Sequence, residues 1–156
     1  MSCLAGPNFW RVWTSPLVRA HRTCELAGYG AQAEVDGDLV EWDYGDYEGL
    51  TTAQIHEQNP GWQLFDEGCP GGESVAAIGG RADRVIARLR AAEGDVLLFS
   101  SGHFLRVLAA RWLKLEAQQG RLFLLSTATL SILGYEHNRQ EEPVIRLWND
   151  RSYQPE

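Results

Sequence analysis

With 156 residues, 44% of them hydrophobic, the chain is long enough for one domain with a buried core and too short for two. A net charge of −7 gives no general attraction to nucleic acid or to an anionic membrane, so any anion it binds must meet a local positive site. Cys3, Cys24 and Cys69 are odd in number, widely spaced and without CxxC pairing. That pattern argues against a zinc site or a disulfide framework and for a reducing compartment. The opening "MSCLAGPNFWRVW" has no basic region followed by an apolar run, and no stretch approaches the roughly 18 apolar residues of a membrane span. The expectation is a cytoplasmic single domain over residues 1–156.

The first element is a short aromatic and β-branched strand, "FWRVW" at 9–13. Ser15-Pro16 then reads as a helix start, with serine as N-cap and proline in the first helical position. That helix is expected to run to about Ala27, with Leu17, Ala20 and Cys24 on one face and "GYG" ending it. Residues 36–50, "DGDLVEWDYGDYEGL", have no sustained period and read as a loop with functional content. A short helix at 51–60 opens on threonine and closes before proline, and 65–73 reads as loop.

Ser74 caps a long helix to about Glu93, its apolar stripe formed by Val75, Ile78, Ala82, Val85 and Leu89. Arg81, Asp83, Arg84 and Arg88 are placed off that stripe, and Gly79-Gly80 implies that something packs closely against this helix. "VLLFS" follows as a strand apolar on both faces, suited to the centre of a parallel sheet. An apolar helix at 104–115 and two strands, 130–137 and 144–149, complete the chain. Alternating strands and helices predict a three-layer α/β/α domain with a mostly parallel central sheet. Its ligand site belongs at the carboxyl ends of the strands.

Two strand–turn–helix units, "VWTSPLVRA" and "LLFSSGHFLR", place short polar residues at helix N-termini, where free N–H groups favour an anion. Arg19 lies in the first turn of one and can fork two hydrogen bonds to a phosphate; Gly102 lets backbone approach a ligand. The acidic loop carries Asp36, Asp38, Glu41, Asp43, Asp46 and Glu48, and its glycines do not match a calcium loop. No metal or other cofactor is expected. A carboxyl set among Trp42, Tyr44 and Tyr47 is a candidate general acid, desolvated enough to hold a proton.

In order along the chain, "TSPLVRAHRTCEL", "LVEWDYGDYEGL", "CPGGES" and "LLFSSGHFLRVLAARWL" resemble the histidine phosphatase superfamily, with its phosphoglycerate mutase-like fold. The likeness runs from about Phe9 to Asn149, and is nearest to the branch of broad acid phosphatases and sedoheptulose-bisphosphatase-like enzymes. It implies a phosphomonoesterase acting on small phosphorylated metabolites, sugar phosphates above all, through a phosphohistidine. By the same resemblance Arg19 is the arginine of "SPLxRA" and binds phosphate, with Ser101 and Gly102 beside it. Glu41 is the acid of "LxExxYG", and Trp42 and Tyr44 line the substrate pocket.

Two departures accompany the likeness. The family's "RHGE" segment and its strand, which lies inside the sheet, have no counterpart in these 156 residues, and Ser101 stands in place of the histidine of "HG". His103, two residues beyond, is then a pocket residue and, with Glu41, the remaining candidate for catalysis. A domain lacking its first strand is expected to expose unpaired strand edges that invite homo-oligomers. The alternatives carried forward are a phosphatase with weak or no activity as written and a non-catalytic binder of phosphorylated ligands.

Overall fold

The computed structural model describes residues 8–152, so Cys3 and most of the N-terminal stretch read above lie outside the described residues. Strand β1 (Arg11–Thr14) pairs in parallel with β2 (Ala33–Val35) on one side and β3 (Val96–Phe99) on the other. The order is β2-β1-β3, with Val12 opposite Leu97 and Trp13 opposite Leu98.

Side-chain alternation along these strands creates the layers. Val12 and Leu97 point to one face, where they meet Cys24 of helix α1 (Val18–Leu26). Trp13 and Leu98 point to the other, against the larger core built on α4 (Val75–Arg90) and α5 (Gly102–Trp112). Ile78, Ala82 and Val85 of α4 and Phe104, Val107 and Leu108 of α5 are fully buried there. The sheet thus has helices on both faces, the three-layer α/β/α arrangement expected from the alternation of elements.

The last two strands, β4 (Leu130–Tyr135) and β5 (Pro143–Asp150), form a separate antiparallel hairpin. Leu133 and Tyr135 pack into the same core as Leu98. Among the described residues the central sheet and the hairpin share a core without sharing hydrogen bonds, and β3 is an edge of its sheet.

Several sequence expectations need correction. Helix α1 starts at Val18 because the ladder continues through Ser15, whose N–H donates to Phe99 O, so Pro16 and Leu17 are spent on the turn. Ser15 Oγ still serves the turn by accepting the Leu17 N–H at 3.2 Å. Strand β2 has no signature in the sequence, as its three residues are largely exposed and carry no apolar period. In the expected loop 65–73, Leu64–Glu67 make one helical turn, α3, because Leu64 and Phe65 are drawn into the core.

Two N-terminal caps are formed as the sequence implied. Thr51 makes a capping box with Gln54 on α2 (Thr52–Gln58), and Ser74 Oγ accepts from Ala77 on α4. Of the glycine pair in α4, Gly79 is the one closely packed: a Cβ there would lie 3.1 Å from Ala117 Cβ. Among the described residues no helix is long and apolar enough to cross a membrane.

Candidate functional site

The site forms where β3 ends and α5 begins. Ser101 is the N-cap of α5, extended in backbone and without a side-chain cap hydrogen bond of its own. The donors it leaves free are met from elsewhere: Glu41 Oε1 accepts from Phe104 N at 2.8 Å, and Glu41 Oε2 from His103 N at 3.1 Å. Glu41 Oε1 also accepts the N–H of Trp42 at 2.8 Å. A carboxylate distant in sequence therefore caps α5, facing the positive end of its dipole. This is a setting of three N–H donors, not the aromatic enclosure read from the sequence.

Glu41 itself lies in neither strand nor helix, two residues beyond a single 3-10 turn (Gly37–Leu39). The carbonyls of this stretch are served by side chains instead: Ser100 Oγ donates to Leu39 O at 2.5 Å, and Arg81 donates to Asp38 O, Val40 O and Glu41 O at 2.8, 2.6 and 3.3 Å. Arg81, placed off the apolar stripe by the sequence reading, is only 6% exposed. It also forks onto the Glu73 carboxylate at 3.0 and 2.7 Å and lies over the Phe104 ring. The sequence held a signal for this, since Arg81 sits between Ile78 and Val85 at helical spacings of three and four.

Nearby Asp36 and Asp38 are held by α4 as well, through Arg88 at 2.8 Å and Arg84 at 3.0 Å. The Arg84 hydrogen bond holds the Asp38 carboxyl below its ordinary range, more than offsetting partial burial.

The His103 ring makes T-shaped contacts with two aromatic rings, Tyr44 and Phe65. Burial pushes its imidazole below the ordinary histidine value, Glu41 opposing and Arg106 reinforcing that shift. A neutral ring leaves Nδ1 as an acceptor for the Tyr44 hydroxyl, 2.5 Å away. Tyr44 in turn is pushed up, first by burial and then by Glu41 and Glu48, so it keeps its proton and donates.

Arg19 is exposed in the first turn of α1, and its side chain makes no hydrogen bond or ion pair among the described residues. Its charge acts on Tyr44, which places it on the same side of the molecule as the acid and the α5 turn. Gly102 is exposed too, and a Cβ added there would meet nothing within 4 Å, so the space before it is open. Ser101 is half-buried, its hydroxyl without a hydrogen bond among the described residues.

Of the residues singled out in the sequence, Glu41, Tyr44, Ser101, Gly102 and His103 come together, with Arg19 at their margin. Trp42 does not join them. It is 2% exposed, packed edge-on to Phe65 with Nε1 donating to Glu73 O at 3.1 Å, and so belongs to the core, not to a pocket wall.

Comparison with known proteins gives this arrangement a lineage. The family model for the histidine phosphatase superfamily (branch 1) matches residues 2–151. An acid phosphatase of Mycobacterium tuberculosis is 44% identical over 135 residues, covering 85% of this chain and 66% of the relative. The chain therefore spans just under two thirds of that relative's length. Sedoheptulose 1,7-bisphosphatase of Saccharomyces cerevisiae is 30% identical over 198 residues, covering 90% and 73%. Among solved structures, a Mycobacterium tuberculosis open reading frame product superposes with a TM-score of 0.83 at 41% identity, over 89% of this chain and 71% of that one. A mycobacterial glucosyl-3-phosphoglycerate phosphatase gives 0.77 at 27% identity, over 92% and 78%.

Proposed function

The chain belongs to the histidine phosphatase superfamily, and on that premise we propose that its α5 turn is a phosphomonoester site for a small sugar phosphate. The observation that carries the reading is the meeting of two motifs far apart in sequence: the Glu41 carboxylate sits on the amides of His103 and Phe104. In the proposed roles Arg19 and the Gly102 amide take the phosphoryl oxygens, a positive group and an N–H at a helix end. Glu41 is the acid for the departing alkoxide, and Tyr44 with His103 forms the wall that touches the sugar. Relatives that act on phosphorylated sugars by name, a sedoheptulose bisphosphatase and a glucosyl-3-phosphoglycerate phosphatase, support that substrate class.

The family chemistry transfers the phosphoryl group to a histidine nitrogen, the leaving oxygen taking a proton, and water then frees phosphate. The 156 residues contain no "RHGE" segment to supply that nitrogen, and Ser101 stands at the second histidine's place. A serine hydroxyl brings neither the charge of an imidazolium nor, without a neighbouring base, useful nucleophilicity. We therefore read this chain as a phosphate-ester binder with little or no turnover. Among the described residues β3, which leads into Ser101, is an edge of its sheet, and an added strand could pair there.

Release of inorganic phosphate from p-nitrophenyl phosphate and from sugar bisphosphates, at about pH 5 to 8 where histidine titrates, tests the reading. The 156-residue chain is expected to stay at background, as is its Ser101→His variant. Ser101→His joined to an added histidine strand is expected to turn over. Robust turnover by the unaltered chain, abolished by His103→Ala, would mean that His103 does the chemistry and would overturn the assignment.

A further inference from the structure

Arg81 is a buried cation with every donor in use. Its five N–H groups meet five acceptors: Nε to Glu73 Oε2, Nη1 to Asp38 O and Val40 O, and Nη2 to Glu41 O and Glu73 Oε1. Three of the five are the carbonyls of one segment, the end of a 3-10 turn (Gly37–Leu39) and the extended residues after it, which carries Glu41. With Ser100 on Leu39 O, the carbonyls of four consecutive residues, Asp38 to Glu41, are all taken by side chains from outside the segment.

Glu73 extends the same brace past Glu41. Its Oε1 accepts from Asp43 N at 3.0 Å, its backbone N–H donates to Asp43 O at 2.9 Å, and its carbonyl accepts from Trp42 Nε1. Close approach is enforced here by glycine: a Cβ on Gly72 would lie 2.2 Å from Asp43 O. The guanidinium carbon also lies over the ring of Phe104, 4.6 Å from its centroid, and the Phe104 N–H is one of the donors to the Glu41 carboxylate. Arg81 thus touches both partners of the contact on which the site depends.

We propose that Arg81, locked to Glu73, is the positioning residue that sets the register of Glu41 against the first turn of α5. It touches no substrate and is not catalytic. A backbone without its own ladder can slide by a residue or tilt, and a carboxylate displaced by about 1 Å loses most of its effect on a reacting group. Arginine suits the task because its planar fork serves a carboxylate and several carbonyls at once; a lysine ammonium has three donors at a single point and cannot span both. The acid role of Glu41 rests on the phosphatase reading, whereas its placement does not, so the test reads placement without turnover.

In the full 156-residue chain, the backbone amide resonances of His103 and Phe104 report on the Glu41 carboxylate, and Glu41→Gln calibrates their shift and its pH dependence. Arg81→Lys and Glu73→Gln are expected to unfold cooperatively and to keep the amides of Val107 and Leu108 in place. They are expected to move the His103 and Phe104 amides toward the Glu41→Gln values. Folded variants with unchanged His103 and Phe104 amides and an unchanged titration would overturn the proposal. If Arg81→Lys fails to fold, Glu73→Gln decides, since it keeps the side-chain volume and one acceptor. Failure of Glu73→Gln to fold would reduce the pair to a structural brace and equally overturn the positioning role.

Discussion

The two halves of the candidate site are built in opposite ways. The carboxylate half is wired in advance: Glu41 has three N–H donors, and its backbone hangs on Arg81, Ser100 and Glu73. The cationic half is loose: the Arg19 side chain is exposed and without hydrogen bond or ion pair among the described residues, and the space before Gly102 is open. A group that must stand at one point relative to a reacting bond gains from being held. A group that must close on an arriving anion gains from being free. The contrast predicts that changes in the first half are felt as stability and changes in the second as binding.

The largest effect belongs to the buried ion pair. Arg81→Met takes from Glu73 its charge partner, leaving it only the Asp43 N–H, and leaves three carbonyls without their side-chain donor; breaking one side of a buried pair costs about 3–5 kcal/mol. Urea titration of the two chains measures it; a loss below about 1 kcal/mol, the size of an exposed pair, would break the contrast. Next comes Glu41→Ala, which orphans the amides of His103 and Phe104 at a helix end. Hydrogen bonds to a charged group contribute about 1.5–3 kcal/mol, and the loss should appear in the same titration.

Titration of His103 gives a third effect with a definite sign. Burial lowers its pKa in the folded chain, so just below the ordinary value of about 6.5 the unfolded chain binds more protons than the folded one. The stability tied to the neutral ring is therefore full above that value and is lost as pH falls toward the lowered one. Melting temperature measured across this window should fall less steeply in His103→Gln. An equal slope in both chains would show that the ring does not titrate as its burial requires.

Arg84→Ala is expected to be smaller. The Arg84 side chain is mostly exposed, its partner Asp38 is also held by Arg88, and water screens such a pair, so the urea midpoint should barely move.

The same contrast explains what could be read from sequence. The α5 turn and the acid were legible because each is a compact motif: "SSGH" after an apolar strand, and "LVEWDYG" in a loop without period. The three layers were legible from the alternation of strands and helices. Arg81 was legible only in its spacing from Ile78 and Val85, because a charge near an apolar stripe is ordinarily solvated and its burial depends on carbonyls some forty residues earlier. Strand β2 was not, because three exposed residues carry no period; only the β1 edge makes them a strand. Trp42 was misplaced for a related reason, since its neighbours in sequence are acidic loop residues while its neighbours in space are Phe65 and Glu73.

Titration of the 15N-labelled chain with inorganic phosphate, followed at the amides around Arg19 and Gly102, tests the central contrast most directly. The account predicts saturable shifts at both places, lost in Arg19→Ala while that variant's urea midpoint stays unchanged. Equal phosphate response in Arg19→Ala, or a fall in its stability as large as that of Glu41→Ala, would contradict the division into a held acid and a free cation.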